Sequence, residues 1–478
     1  MIKSLQSNFA SLLLWIGVLV VATYTVTSEI PAELSDDGAF FLRYAQNTLD
    51  GQFWVWNVGE APIWGASAPF YPLLLAIPLG FLSPLESAIL IGAALYSATV
   101  LICVRSVTKH HSNVAGLAFL ALFLSNASIQ NWALSGMETP LTLFLLGLCC
   151  CSLLGTQGFW STTLLAGFLV VHKMDLVAIG LLFLLCSKWK SRMQQLASLA
   201  ISCSALSVWH IFAWSYFDSP LPNSFVTKFE HQILEPFAKD SGWFSAYLLL
   251  HNSHYLLLVL SIMSFALLFF KKASNHRTLY FSLGVVVIHT FVYSCFPPIE
   301  PYNWYAMPAL FALVWMSTLA LGNGLALLSN GLIRWGIAVA STGALLMFVI
   351  PIERIHKERW LSYRAFVERD RAEAGRWVAA HTTSDARLLT GWGNPALYAQ
   401  RKTIDSSFLQ TRFQRVDLLQ HTKPDVIIFQ GAPGTSPDHP EFTILNEPSG
   451  ENYRVVKTFR EGYDAGFGIY FAVLLRNH

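Results

Sequence analysis

Two adjacent carboxylates, Asp36 and Asp37, stand in the run Ser35-Asp36-Asp37-Gly38-Ala39-Phe40-Phe41-Leu42-Arg43-Tyr44, just beyond the first apolar stretch of the chain. A carboxylate held where a lipid and a water-soluble reagent meet is suited to take a proton from an attacking hydroxyl. A plainer explanation exists: Ser35 or Asp36 caps a helix, and Asp37 is a first-turn acid favoured by the dipole. Neighbours on a helix point about 100° apart, so the two acids do not share one task. A second group is Ser135-Gly136-Met137-Glu138-Thr139-Pro140, where Glu138 opens an apolar segment, again a position the dipole explains. Lys173 and Asp175, inside His172-Lys173-Met174-Asp175, are costlier. An ionisable side chain within a membrane costs about 2.5–3.5 kcal/mol on insertion scales. Such a pair marks a site or a mutual neutralisation. Lys228 ends the run Leu221-Pro222-Asn223-Ser224-Phe225-Val226-Thr227-Lys228, where it either meets an anionic head group or snorkels to the interface. Trp54, Trp56, Trp64, Trp304 and Tyr305 read as an interfacial belt or as sugar-stacking platforms.

Composition says what scaffold positions them. Of 478 residues, 54% are hydrophobic and 13% charged, against about 25% charged in soluble domains. That excludes a soluble globular enzyme and predicts a polytopic α-helical membrane protein. A net charge of +2 offers no basic surface for a run of nucleic-acid phosphates. The seven cysteines all lie in apolar runs and read as small packing residues, not as a disulfide or zinc framework.

Apolar spans are predicted over roughly 9–26, 84–104, 114–128, 138–154, 196–216, 251–270, 278–296, 303–322 and 335–352. Two shorter pieces around Lys173 form a hairpin that enters and returns, giving about 11 membrane segments. Lys3, Arg105, Lys109, Lys188, Lys190, Arg192, Lys271, Lys272, Arg277 and Arg334 fall on one side, and only Arg43, Lys228 and Lys239 on the other. Basic residues concentrate in cytoplasmic loops, so the N-terminus is expected in the cytoplasm and the C-terminal part outside. Two outer loops are long, 28–69 and 217–250. The first carries a short amphipathic helix that stops near Asp50-Gly51, with Phe40, Phe41, Tyr44 and Leu49 expected on the bilayer interface.

The chain divides into a membrane domain, 1–352, and a soluble extracytoplasmic α/β domain, 353–478. In the latter, helices are predicted near 367–380 and 408–420, and strands near 387–390, 426–429, 453–459 and 467–475. Gly391-Trp392-Gly393 lacks the third glycine of a dinucleotide fingerprint and carries no cofactor weight.

Taken in order, Asp36-Asp37-Gly38-Ala39-Phe40 with Arg43-Tyr44-Ala45, Ser135-Gly136-Met137-Glu138-Thr139, the Lys173–Asp175 element and Leu221-Pro222-Asn223-Ser224-Phe225 with Lys228 resemble the motifs of GT-C class integral-membrane glycosyltransferases. The resemblance covers roughly 8–320 and is nearest to the branch containing the mycobacterial terminal arabinofuranosyltransferase. That family usually shows Arg-Pro-Glu/Asp where this chain has Lys173-Met174-Asp175. It implies a bacterial plasma-membrane enzyme that moves a sugar, arabinofuranose for preference, from a polyprenyl-phosphate donor to a hydroxyl of a glycan, lipopolysaccharide or protein on the outer side. It further implies Asp36 as base, with Asp37 orienting it or holding an acceptor or metal. Lys173, Lys228 and Arg43 become the donor-phosphate residues, and Glu138, Asp175, Asn223, Tyr44, Trp304 and Tyr305 contact substrate. With no second nucleophile at the outer rim, direct displacement with inversion is expected. No cofactor is required by the pattern, although the Asp pair with Glu138 could bind a divalent cation through oxygen. The alternatives are a lipid-linked-sugar flippase or transporter, to which broken helices with midplane charges also belong, and a non-catalytic envelope-assembly scaffold.

Overall fold

A computed structural model of the chain describes residues 2–28, 30–155, 158–227, 276–295, 303–326, 354–355, 357–406, 422–431 and 453–477. The expected spans 251–270 and 335–352, the helix near 408–420 and Lys228 lie outside the described residues. The membrane part consists of α1 (Ile2–Thr27), α2 (Asp36–Leu49), α3 (Tyr71–Leu79), α4 (Pro84–His110), α5 (Asn113–Leu124), α6 (Ala127–Ala133), α7 (Thr139–Leu154), α8 (Phe159–His172), α9 (Val177–Cys186), α10 (Arg192–Phe217), α11 (His276–Cys295) and α12 (Met307–Ala326).

Local chemistry sets these bounds. Ser83 and Glu86 form a reciprocal capping box at the start of α4, with Pro84 in its first turn and Lys109 in its last. Ser35 caps α2 by accepting from the Gly38 amide, and Gly51, at φ 78°, follows its end. Three described helical stretches, Pro84–His110, Arg192–Phe217 and Trp304–Gly322, are long and apolar enough to cross a membrane alone. The single span expected over 114–128 is instead a pair, α5 and α6, bent by 67°. Asn126 causes the break: its side chain accepts from the Ile129 amide at 2.9 Å and starts a new helix. The pieces around Lys173 are α8 and α9, joined by a 3-10 turn at Met174–Leu176 and packed along each other.

The tail contributes α13 (Arg369–His381), β1 (Arg387–Thr390), α14 (Gly393–Ala399), β2 (Lys402–Asp405), β3 (Val426–Gln430), β4 (Tyr453–Phe459) and β5 (Phe471–Arg476). Strand order is β2-β1-β3-β5-β4; β1 is parallel to both neighbours, and β5 antiparallel to both of its own. Alternation divides the strands between two faces. Leu388, Val426, Ile428 and Val473 pack with Ala374 and Val378 of α13, while Leu389, Ile427, Ala472 and Leu474 form the opposite cluster.

Phe40, Phe41 and Tyr44 do not face lipid, contrary to expectation, although Leu49 does remain exposed. The three rings are buried because α2 is enclosed by α3, the outer loop and α14: Phe41 meets Tyr71, and Phe40 and Tyr44 meet Trp56. Ala396 and Leu397 of α14 join the same core as the membrane helices.

Arg43 fastens this assembly. Its Nε donates to the Trp56 carbonyl at 3.0 Å, and its Nη2 to Asn57 Oδ1 and the Arg401 carbonyl, both at 2.9 Å. Nη1 donates to the Ala396 carbonyl, and the guanidinium lies 4.4 Å from the Trp56 ring centre. Arg43→Ala is expected to destabilise the protein by about 3 kcal/mol, because a charged donor is stripped from several buried acceptors. Thermal unfolding in detergent checks this; unchanged stability with weakened donor binding would instead mark Arg43 as a phosphate ligand.

Candidate active site

Two sequence motifs about a hundred residues apart meet at a backbone contact. The Ser135 carbonyl accepts from Ser35 Oγ at 2.7 Å and from the Ser35 amide at 3.3 Å. The first turn of α2 therefore rests directly on the 135–138 turn. Only glycines permit the approach: a Cβ on Gly38 would overlap the Ser135 carbonyl oxygen. Gly136 has φ 82°, and a Cβ there would lie 3.2 Å from the Gly38 Cα. The turn that leads into Glu138 and α7 thus sits against the start of α2, which carries Asp36 and Asp37.

Asp36 faces the tail. Its Oδ1 accepts from the Gly393 amide at 2.8 Å and the Asn394 amide at 3.2 Å. The Asn394 side chain donates to the Leu34 carbonyl at 3.2 Å and to Glu368 Oε2 at 3.0 Å. Glu368 accepts from Arg371 Nη1 with both oxygens, at 3.0 and 2.9 Å, and Arg371 lies 4.0 Å from the Trp392 ring centre. Asp36 keeps part of its surface accessible but is densely surrounded. Burial pushes its carboxyl up to about 8 against the pull of Arg371, with Glu368 and Asp37 adding to the rise. Nearby, Glu33 is held by Arg376 at 2.7 Å and by the Tyr398 hydroxyl at 2.6 Å.

A second polar cluster lies among the membrane helices. Lys173 Nζ is 2.7 Å from Glu138 Oε1 and 3.5 Å from Asp175 Oδ2. The Tyr293 hydroxyl donates to Asp175 Oδ2 at 2.6 Å. The Tyr293 ring lies 4.9 Å from that of Tyr305 and 4.7 Å from that of His289, and Trp304 packs on Trp132. His172 Nε2 bonds the Thr142 hydroxyl at 3.1 Å. Glu138 Oε2, Asp175 Oδ1, His172 Nδ1 and His289 Nε2 are buried without a hydrogen-bond partner among the described residues. Such acceptor oxygens suit the hydroxyl donors of a sugar.

The fold therefore gathers Glu138, Lys173, Asp175 and Tyr305, with Trp304 alongside. Arg43 and Tyr44 sit at the junction with the outer loop, where the Tyr44 hydroxyl donates to the Ile63 carbonyl at 3.0 Å. The Asn223 amide donates to the Trp64 carbonyl at 2.7 Å. His289 and Tyr293 escaped the sequence reading, though two polar residues one turn apart in an apolar helix were the available signal. Glu368, Arg371 and Asn394 carried no signal, because the contacts that tie them to Asp36 and Leu34 span more than 350 residues of sequence. Among the described residues, no group of three or more His, Cys, Asp or Glu is arranged to hold a metal ion.

No family model and no curated protein matches the sequence. In three dimensions the chain is similar to ArnT from Cupriavidus metallidurans. The structure of ArnT bound to undecaprenyl phosphate gives a TM-score of 0.63 at 12% identity, covering 97% of this chain and 98% of that one. The apo state gives 0.61 at 12% identity, covering 98% of each. The Archaeoglobus fulgidus oligosaccharyltransferase, tethered to an acceptor peptide containing the NVT sequon, gives 0.51 at 12% identity over 87% of this chain and 69% of that one. These neighbours are GT-C glycosyltransferases, and at 12% identity the likeness shows a shared fold alone.

Lys173→Met removes the cation from between two buried carboxylates and is expected to cost about 3–5 kcal/mol. Adding Glu138→Gln and Asp175→Asn should return part of that loss. Melting temperatures of the single and triple variants measure it; a single variant as stable as the parent would show that the three charges do not interact.

Proposed function

We propose that the chain is a GT-C glycosyltransferase that transfers a sugar from a polyprenyl phosphate to an acceptor hydroxyl. One observation carries the reading: the glycine contact between Gly38 and Gly136 joins a proton-accepting carboxylate pair to a buried cation-and-acid cluster, on a fold shared with a transferase crystallised with undecaprenyl phosphate. The acceptor oxygen attacks the anomeric carbon, Asp36 takes its proton, and the bond from that carbon to the phosphate oxygen breaks. Polyprenyl phosphate leaves with the bonding pair, and the anomeric centre inverts.

Each group has a physical reason for its role. Asp36 is fixed through Oδ1, so Oδ2 receives the proton. Lys173, paired with Glu138, supplies a cation in an apolar surround where the leaving phosphate develops charge. Two acidic side chains already engage the one lysine of this cluster, so a leaving phosphate calls for a further cation beside it. Lys228 is the candidate from the sequence. The unpartnered oxygens of Glu138 and Asp175 hold sugar hydroxyls, and Trp304 and Tyr305 flank the ring.

The finer parts of the reading rest on the motifs: arabinofuranose as the sugar, about 11 membrane segments, a cytoplasmic N-terminus, and an active site and tail on the outer face of a bacterial plasma membrane. There the acceptor is a glycan, lipopolysaccharide or protein. Outside the cytoplasm no nucleotide-sugar pool exists, so a lipid-carried sugar is the available donor.

Replacing Asp36 by Asn is expected to lower transfer from a polyprenyl-phosphate sugar by about 10²–10⁴-fold, and Asp37→Asn by less. Full activity in both variants would discard the base assignment. A base must be ionised to act, and a carboxyl pushed up to about 8 is largely protonated at neutral pH. Transfer should therefore rise with pH through that value and fall below it. A pH–rate profile flat from 6 to 9 would contradict this.

A further inference from the structure

We infer that the tail is the positioning half of the catalytic centre: Gly393 and Asn394 hold Asp36 by one oxygen, and the Glu368–Arg371 pair behind them governs how readily that carboxyl binds a proton. This rests on the reading of Asp36 as the base. The run Gly391-Trp392-Gly393 fits no cofactor motif, and here it has a use.

The geometry is specific at each step. Gly393 lies so close to the first turn of α2 that a Cβ would overlap the Asp36 carbonyl oxygen and come within 3.0 Å of the Phe40 amide. Its own amide thereby reaches Asp36 Oδ1 at 2.8 Å. Trp392, one residue earlier, covers the Arg371 guanidinium at 4.0 Å. Asn394, one residue later, joins Glu368 to the Leu34 carbonyl, two residues before Asp36. Gly375 of α13 lies against Pro395, where a Cβ would approach the Pro395 carbonyl oxygen to 2.8 Å, so α13 fixes α14 from behind. The charged and titratable groups that act on Asp36 are Asp37 on its own helix, Glu368 in the π turn Arg364–Glu368, Arg371 on α13, and Tyr363 just before that turn.

Two amides fix the oxygen that does not react and leave Oδ2 aimed at the acceptor hydroxyl. Glu368 and Arg371 act in opposite senses on the same group: a carboxylate raises the proton affinity of Asp36, and a guanidinium lowers it. A base is most effective when its proton affinity matches the working pH. Both senses are supplied by side chains of the tail, more than three hundred residues away in sequence. Without the tail, Asp36 loses both amide donors and keeps only Asp37 among the charged groups that act on it.

The test is an infrared pH titration of the full-length protein in lipid nanodiscs, following the protonated-carboxyl band that Asp36→Asn abolishes. Glu368→Gln is expected to lower the midpoint of that band by about one pH unit or more, and Arg371→Gln to raise it by a similar amount. Arg371→Lys should return it toward the parent value. Gly393→Ala displaces the amide and should raise the midpoint, while lowering kcat for transfer with the donor KM unchanged. Unmoved midpoints in folded Glu368→Gln and Arg371→Gln would overturn the inference. If neither charge variant folds, Gly393→Ala decides: a parental midpoint and kcat overturn it. The transferase reading fails separately, when Asp36→Asn retains full transfer whatever the band does.

Discussion

The constraint on which the rest depends is the contact between Gly38 and the Ser135-Gly136 turn. Neither motif makes a site alone. A helix that begins with two acids is common wherever a chain leaves a membrane, and a buried lysine between two carboxylates is by itself only an ion-pair cluster. The clasp of two glycines and one doubly bonded carbonyl turns them into neighbours, at separations no side chain larger than hydrogen allows. Everything catalytic in the proposal follows from that adjacency.

The two charged clusters have opposite designs. Around Lys173, two carboxylates face one ammonium in an apolar surround, and several buried polar atoms have no hydrogen-bond partner among the described residues. At the junction with the tail, arginines hold the acids: Arg371 grips Glu368, Arg376 grips Glu33, and Arg364 donates to the Glu33 and Leu134 carbonyls. Planar guanidinium groups that hold carboxylates and backbone carbonyls at fixed angles stiffen this seam. The first cluster is suited to receiving a ligand, the second to keeping a carboxylate still.

Much of this was legible in the amino-acid pattern because its causes are local. Ser35 as cap, the stop at Gly51, the hairpin around Lys173 and strands β1, β3 and β4 follow from capping, turn chemistry and alternation. Burial of Phe40, Phe41 and Tyr44 was not legible, because an apolar helical face looks the same whether it meets lipid or protein. Nor was α14, seven residues containing a proline and closely following a Gly-Trp-Gly run, which is held by packing on α2 and α13. Its neighbour β2, four residues long, was also missed. The proton affinity of Asp36 depends on groups brought together by the finished fold, so composition near residue 36 says little about it.

The separation of 357 residues between Asp36 and Gly393 has a consequence for biogenesis. At ordinary rates of translation, about 5–20 residues per second, α2 is made tens of seconds before the segment that caps its aspartate and receives its arginine. In that interval Phe40 and Arg43 lack the partners contributed by α14. An unfinished or truncated chain displays an aromatic helix with part of its packing surface uncovered, a ready handle for chaperones and proteases that monitor newly made proteins. Completion of synthesis, docking of α14 and capping of Asp36 by the Gly393 and Asn394 amides would then coincide in one event.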